Sequence, residues 1–419
     1  MTKLIKPQPL KGFRDFYPEE IAFRRWLFGK MRKVSHLFGY QEYDGPILEP
    51  VAIYEAKSGQ ELVKKQTFQL KDRGGRKLAL RPELTPTLAR MVAQKQFELP
   101  LPIRWFSIGP RFRYEAPQKG RAREFYQWDV DLVGLKTPEA DAEIISIACQ
   151  FFKELGLCPK EVIIKVNNRQ LMDFKLSLIE IKKSQIPKVF KAIDKNELSL
   201  ADLSEKQTKE LKKILADRDF AVESEELTQT FSTLKDLGVA DFVEFDPNIV
   251  RGLDYYTGTV FEARDRQGKF RAILGGGRYD NLVEIFSKTP LSGVGFAAGD
   301  MVIEELLKYF NKYPVVEPNP TLVLVTVFDE SCFRESLKLT TMLRGQGVKT
   351  EIYPDSQTKL DKQLKYADKK GIPYAIILGP QELEKNLITL KDLKKRTQQT
   401  DSFKTILNKI LNQVKEILV

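Results

Sequence analysis

One segment constrains this chain more than any other: Arg251-Gly252-Leu253-Asp254-Tyr255-Tyr256-Thr257-Gly258-Thr259-Val260-Phe261-Glu262. It sets a lone cation, two tyrosines and two acids in a short glycine-punctuated stretch that runs into a strand. Buried or half-buried, such a cluster costs stability unless charged and polar partners surround it. A ligand with a carboxylate or phosphate and a ring supplies such partners. Gly252 and Gly258 permit close backbone approach. On an extended chain Tyr255 and Tyr256 face opposite ways, so one of them reaches a given ligand directly.

The chain has 419 residues, enough for about three domains at roughly 150 residues each. A hydrophobic content of 42% with 30% charged residues is that of a globular protein. No apolar run approaches the roughly 18 residues of a membrane helix. Residues 1–11 carry two prolines and no apolar core, so no signal peptide is read there. The scattered Cys149, Cys158 and Cys332 form neither a disulfide framework nor a CxxC metal site, which fits a reducing cytoplasm. The net charge of +11 points to polyanionic partners, nucleic acid above all. Residues 321–419 hold 17 Lys and Arg against 12 Asp and Glu, whereas residues 171–245 hold 12 against 15. The middle segment is therefore not the electrostatic platform.

Pro18, Glu19 and Glu20 open a helix that Gly39 ends. Phe23, Trp26, Leu27, Met31, Val34, Leu37 and Phe38 recur along it at helical spacing. Residues 40–50 are extended, with Pro46 demoting them to an edge or interface. Residues 78–86 read as strand then turn, 103–113 and 123–134 as two strands, and 138–157 as a helix. Residues 171–245 read as an inserted helical domain. Residues 256–263 and 269–274 read as a hairpin around Asp265-Arg266-Gln267-Gly268. The glycines 275–277 then mark a tight turn or close backbone packing, since they fit neither Walker nor Rossmann spacing. Residues 293–299 form a strand of small residues feeding a helix near Asp300. Residues 311–320 are a proline-bearing linker. Beyond it, apolar strands at 322–328, 350–353 and 374–378 alternate with helices, and 403–418 close the chain as an amphipathic helix.

Three clusters carry chemistry. Arg104, Arg111, Arg113, Lys119, Arg121 and Arg123 crowd one hairpin, and forked guanidiniums on a rigid strand suit phosphate and carboxylate. On the next strand Gln127, Asp129 and Asp131 share one face, with Trp128, Val130 and Leu132 on the other. A solvated face with cross-strand ion pairs accounts for that hairpin equally well. In Arg81-Pro82-Glu83-Leu84-Thr85-Pro86, Glu83 and Thr85 suit an ammonium group, although a capped turn before a helix at 88–93 also explains them. The third cluster is the opening segment. The single histidine, His36, sits on a packed helix, so neither a Ser/His/Asp mechanism nor a His-based metal site is available. What remains is a positioning mechanism, with arginines and polar groups aligning two charged reactants.

Together these words resemble the histidyl-tRNA synthetase family of class II aminoacyl-tRNA synthetases, in order and along essentially the whole chain. They are Lys11-Gly12-Phe13-Arg14-Asp15, Arg81-Pro82-Glu83-Leu84-Thr85, Phe112-Arg113-Tyr114-Glu115 with Pro117-Gln118-Lys119-Gly120-Arg121, residues 127–131, 251–262 and 275–282. The resemblance implies a mixed α/β fold, with an antiparallel-sheet catalytic domain in two parts (residues 1–170 and 246–310). A helical insertion (171–245), a linker (311–320) and a C-terminal α/β anticodon-binding domain (321–419) complete it. It implies that ATP with Mg²⁺ and L-histidine form histidyl-adenylate, and that the histidyl group passes to the 3′ end of tRNA(His). It also implies a cytoplasmic homodimer, joined through the first helix and the strand near Pro46, with no membrane association. Carried over by position, Arg251 and Arg113 are catalytic. Glu83, Thr85, Arg113, Gln127, Asp131, Arg251, Tyr255 and Tyr256 bind histidine, with Asp131 and Tyr256 reading the imidazole. Arg113, Arg121 and Arg278 bind ATP, Gln118 approaches the tRNA acceptor end, and no protein-held metal site is implied.

One position departs from the pattern. The last class II motif places an ATP-bracketing arginine three residues after the glycine matching Gly299, and here that position is Val302. Arg121 and Arg278 are the candidates to replace it. The departure keeps an alternative open, a synthetase-like regulatory subunit of ATP phosphoribosyltransferase in histidine biosynthesis. Arg251, the Arg113/Gln127/Asp131 set and the basic C-terminal domain oppose that alternative. A third reading, a nucleic-acid-binding protein with an inactive core, is opposed by the retained pocket residues.

Overall fold

The computed structural model describes residues 7–55, 66–251 and 255–418, with side chains to residue 412. Gly252, Leu253 and Asp254 of the opening segment, and the first six residues, lie outside the described residues. The chain divides into two compact units, Met1–Phe16 with Phe23–Val315, and Tyr17–Ala22 with Val316–Val419.

The first unit is built on a sheet whose strands run β1 (Gln41–Glu42), β5 (Ile103–Phe112), β6 (Glu124–Val133), β11 (Gly293–Gly299), β10 (Leu274–Tyr279), β9 (Thr259–Asp265), β7 (Val162–Asn168) and β8 (Val243–Phe245). It is antiparallel from β5 to β7, with parallel pairs at the two edges. A smaller sheet joins β2 (Leu48–Pro50), β4 (Lys77–Leu80) and β3 (Gln69–Lys71). Pro46 falls between β1 and β2, and the extended segment around it is split between the two sheets.

Alternation along β6 divides the large sheet into two faces. Trp128, Val130 and Leu132 are fully buried on one face. Helix α1 (Pro18–Leu37) brings Phe23, Leu27, Met31 and Val34 inward at helical spacing, and Leu37 of the periodic set is left 68% exposed at the helix end. His36 is exposed as well. Ser35 Oγ accepts from the Trp128 indole at 3.0 Å while donating to the Met31 carbonyl. That satisfies the one polar atom of the largest core side chain. After α2 (Val51–Glu55) and α3 (Thr85–Gln94), the long helix α4 (Pro138–Glu154) covers this apolar face. The Phe151 ring lies 4.8 Å from that of Trp128, and Phe296 from β11 meets Trp128 at 5.0 Å.

The helical stretch that follows contains α5 (Arg169–Leu178), α6 (Ile186–Asp194), α7 (Glu205–Ala216) and α8 (Glu225–Asp236), and returns to the sheet through β8 beside β7. The glycines 275–277 correct the expected hairpin. They form the strand β10 itself, pairing with β9 and β11, and residues 269–273 are the link that leads into it. Helix α9 (Asp300–Tyr309) follows β11 directly, as the small-residue strand predicts.

The second unit orders β13 (Thr350–Ile352), β12 (Val323–Val325), β14 (Tyr374–Ile377), β15 (Leu387–Asp392) and β16 (Thr397–Ser402). The first three are parallel, with helices α10 (Glu330–Gly345) and α11 (Leu360–Lys370) between them in sequence. The short α12 (Pro380–Glu384) precedes the β15–β16 hairpin, which the sequence reading did not single out. Helix α13 (Phe403–Leu418) packs Ile406 and Ile410 into the same core as Val323, Val325 and Ile376.

The middle of the large sheet tolerates no added volume. A Cβ at Gly276 would stand 2.2 Å from the Gly295 carbonyl and 2.7 Å from both Phe261 and Phe296. Two of these neighbours are rigid, so relief requires the strands to separate. Gly276→Ala is expected to cost at least the upper end of the usual overpacking range, about 3 kcal/mol. Urea unfolding followed by tryptophan fluorescence measures it, and an unchanged midpoint would show that the strands do not pack in this register.

Candidate active site

The other face of the sheet is polar, and its floor is small. Opposite Gln127, Asp129 and Asp131 of β6 lie Gly299, Ala297 and Gly295 of β11, and opposite those run Gly275 and Gly277 of β10. Side chains from surrounding elements occupy the space. A Cβ at Gly275 would lie 2.4 Å from the Arg251 guanidinium, so glycine is what allows that group to rest on the strand.

A cleft with two adjoining lobes stands on this floor. The larger, 690 Å³, is lined by Glu83, Thr85, Arg113, Gln127, Asp131, Arg251, Tyr255 and Tyr256. All eight side chains expected to bind histidine therefore converge on one lobe. The second lobe, 500 Å³, shares Arg113, Arg121, Gln127, Arg251 and Arg271 and adds Arg264 and Val302. Tyr255, Tyr256 and Tyr279 line only the first lobe, and four of the second lobe's five arginines line both.

The loop before α3 is held by Arg81. Its fully buried guanidinium donates to Asp44 at 2.5 Å, to the Gly45 carbonyl at 2.8 Å and to the Pro110 carbonyl at 3.0 Å. Leu84 stands at the N-cap of α3 and gives it no side-chain cap, so the capped-turn explanation for this segment does not hold. Glu83 is instead buried in the cleft, where the Tyr255 hydroxyl donates to it at 3.3 Å. Arg113 donates to the Pro82 carbonyl at 3.0 Å, and burial lowers its guanidinium against the opposing pull of Glu83.

Two acids on the polar face are separated by their partners. Asp129 accepts from the fully buried Arg111 at 2.6 Å, so this pair is closed on itself. Asp131 accepts from the Tyr279 hydroxyl at 2.6 Å. Burial raises the Asp131 carboxyl to about 8, with Tyr279 and Arg111 opposing the rise and Asp129 adding to it. Asp131 can therefore change charge near neutrality.

Arg251 adopts a left-handed backbone, φ 50°, unusual for a side chain of its size. Its guanidinium donates to Glu262 at 2.6 Å, and Arg264 donates to the other Glu262 oxygen at 2.5 Å. Burial alone would lower Arg251, but Tyr256 and Glu262 outweigh it and raise the group above its ordinary value.

Two expectations need correction. Tyr255 and Tyr256 line the same lobe, with ring centroids 4.8 Å apart, because the segment turns before β9 begins and is not extended there. Arg278 does not reach the cleft. It alternates with Gly277 and Tyr279 along β10 and so points to the apolar face, where it pairs with Asp141 at 2.7 Å. It also donates to the Leu135 and Thr137 carbonyls and to Ser292, which makes it a structural clamp on α4 rather than an ATP ligand. The insertion does reach the cleft, for Lys191, Asp194 and Lys195 at the end of α6 line the larger lobe. Gln118 lies outside both lobes, exposed on the loop it closes with Arg121. The sequence reading missed Tyr279 and Arg271, and strand parity was the available signal for Tyr279.

Residues 12–301 match the profile of the family described as histidyl-tRNA synthetase, and residues 321–413 match that of the anticodon binding domain. A histidine–tRNA ligase from Leptospira biflexa is 39% identical over 427 aligned residues, covering 96% of this chain and 97% of that protein. One from Thermoplasma volcanium is 39% identical over 93% of this chain and 95% of its own length. The crystal structure of histidyl-tRNA synthetase from Nostoc sp. PCC 7120 superposes with a TM-score of 0.80 at 25% identity, covering 98% of this chain and all of that one.

The Asp131 carboxyl makes the ligand-free protein sensitive to pH. Its folded value of about 8 lies above the ordinary 3.8, so the folded state holds a proton that the unfolded chain releases. The stability this group contributes is present below about pH 4 and is lost as pH rises through about 8. Asp131→Asn, which keeps an acceptor for Tyr279, is expected to melt higher than the parent near pH 8 and to lose that advantage toward pH 4. Parallel melting curves across this range check it, and equal pH slopes for both proteins would contradict it.

Proposed function

The chain belongs to the histidyl-tRNA synthetase family, and on that footing we propose that its cleft joins L-histidine to ATP and passes the histidyl group to tRNA(His). The observation that carries this reading is the convergence of all eight predicted histidine-binding side chains on one lobe, with an arginine-lined lobe beside it.

The roles follow from chemistry and position. Glu83 and Thr85 receive the α-ammonium, with Tyr255 fixing the Glu83 carboxylate. Asp131, Tyr279 and Tyr256 surround the ring. A neutral imidazole offers one donor and one acceptor, and a site that pairs with both rejects apolar analogues by roughly 10⁴–10⁵. Arg251 and Arg113 receive the substrate carboxylate and the α-phosphate, and Arg121 the outer phosphates.

The first step is attack by the histidine carboxylate on the α-phosphorus, forming the mixed anhydride and releasing pyrophosphate. The nucleophile is already ionised, so no side chain has to remove a proton. The barrier lies in bringing two anions together and in the charge that builds on the phosphoryl oxygens, and fixed guanidiniums lower both. In the second step a ribose hydroxyl of the tRNA 3′ adenosine attacks the activated carbonyl and AMP leaves. Gln118, on the exposed loop beside the cleft, is assigned to the acceptor end. Residues 321–419 are assigned to the anticodon.

ATP use is a property of the family, and Mg²⁺ is its expected companion. Mg²⁺ is commonly held by one or two carboxylates together with substrate phosphates. Glu115 fits that role, since its buried Oε1 has no hydrogen-bond partner among the described residues and its side chain lines both lobes. The ion would shield the charge of the outer phosphates. A homodimer through α1 and the strand after Pro46 is supported by exposed apolar side chains there, Leu37, Ile47 and Leu48. No helix among the described residues is long and apolar enough to cross a membrane, and the proposed location is the cytoplasm. The regulatory-subunit alternative is less supported, because the chain keeps both the complete pocket set and the match to an anticodon binding domain.

Histidine-dependent ATP–pyrophosphate exchange tests the reading. Exchange is expected with histidine alone among the amino acids, and Arg251→Ala is expected to reduce it by about 10²–10³. A folded wild-type protein without exchange would return the assignment to the regulatory subunit.

A further inference from the structure

The cations of the smaller lobe and of the recess beside it differ in what already holds them. Arg251 and Arg264 share Glu262, at 2.6 and 2.5 Å. Arg121 is paired with Glu115. Lys119, at the rim, meets Glu305 at 3.1 Å, and Lys269 donates to the Tyr309 hydroxyl. Arg271 has neither an ion pair nor a hydrogen bond among the described residues, yet it lines both lobes of the cleft and the small recess beside Gly120 and Val302.

Its position is fixed by its neighbours in sequence. The Ile273 amide donates to the Ala263 carbonyl at 2.8 Å and ties residues 271–273 to β9 just before β10 begins. Arg271 therefore hangs from a braced segment and also lines the smaller lobe, which Glu83 and Asp131 do not line. Its charge acts on Arg121, whose guanidinium is lowered to about 10 by burial, then by Arg271, then by Arg113. Three like charges gathered with too few acids are unfavourable until a polyanion arrives.

Val302 lines the same space. It is 9% exposed and packs 3.6 Å from where a Cβ at Gly120 would stand, and it brings no charge to the phosphates. Arg278, the other candidate for that service, is clamped on the opposite face of the sheet. We propose that Arg271 binds the pyrophosphate half of ATP, opposite Arg121, and supplies the cation that position 302 lacks. This rests on the synthetase reading given above. The reaction it serves is unchanged, with the O–P bond to histidine forming as the bond to pyrophosphate breaks and Arg271 holding the leaving group.

The test compares Arg271→Ala and Arg271→Lys with the wild type in exchange kinetics. It adds calorimetric titration of ATP and of inorganic pyrophosphate without histidine. Loss of a charge-assisted contact should raise the KM for ATP and the Kd for pyrophosphate about ten- to a hundredfold. The KM for histidine should stay within about twofold, and the lysine variant should recover most of the loss by restoring the charge. Unchanged ATP and pyrophosphate constants in Arg271→Ala would overturn the assignment. So would weakened ATP with unaltered pyrophosphate, which would move Arg271 to the nucleoside end, or an equal loss for histidine, which would make it a support of the cleft. A wild type that binds ATP and pyrophosphate but shows no exchange would fail the proposed reaction and leave the titrations to decide on Arg271. A wild type that binds neither would sink both.

Discussion

A guanidinium can lie flat on a β-sheet only where the strand beneath it has no side chain. The contact of Arg251 with Gly275 is that situation, and much of the site depends on it. Glycine and alanine at 275, 277, 295 and 297 lower the middle of the sheet by the height of a side chain, and the recess this leaves is the cleft. The same lowering lets the Asp131 carboxylate lie over Gly295, where a Cβ would approach it to 2.2 Å. Strands of this composition are weak on their own, because glycine loses the most backbone entropy on ordering and offers nothing to pack. Here they are flanked by β6 and β9 and backed by α4, so the apolar face stabilises what the polar face cannot.

Gathering arginines, acids and tyrosines in one cleft has an electrostatic cost in the empty protein. Burial raises Asp131 and lowers Arg121, each toward its neutral form. The protein limits that cost by closing some charges on each other, as Arg111 with Asp129 and Arg251 with Glu262. These pairs do more than neutralise. The Glu262 carboxylate, held from its other side by Arg264, fixes where the Arg251 guanidinium points before any substrate enters. A group fixed in advance does not spend binding energy on reorganisation when charge develops. The left-handed backbone at Arg251 belongs to the same arrangement, since strain of this kind persists only where surrounding contacts determine the conformation.

Much of this was legible in the residues, and the failures have definable causes. Parity along β6 separated Trp128, Val130 and Leu132 from Gln127, Asp129 and Asp131, because two-residue alternation is local and survives any tertiary context. The same rule applied to 275–279 would have placed Tyr279 in the cleft and Arg278 behind the sheet. Three successive glycines read alone as a tight turn or close backbone packing, and only pairing with two neighbouring strands makes them a strand. The adjacent tyrosines were misjudged for the converse reason, an extended backbone assumed where the chain turns. The residues of α6 could not have been found at all, since helical periodicity identifies which face packs and says nothing of what a helix end overhangs.

The same alternation bears on the proposed ATP side of the site. Substituting one cationic position for another in a sequence pattern is safe only if both side chains project from the same face of the same sheet. Arg278 is nearer to the glycine motif and looks like the natural substitute, but one step of alternation commits it to Asp141 and to the join between β10 and α4. Arg271 comes from an irregular link where alternation does not apply, and it is free to lean into the cleft from the edge of the floor. A phosphate subsite is defined by where charge accumulates, and several backbone origins can deliver a long flexible guanidinium to one point. Histidine recognition has no such latitude. In the proposed roles its donors and acceptors must meet a small planar ring at fixed angles, and those residues come from β6 and β10, the braced loop before α3 and the turn before β9.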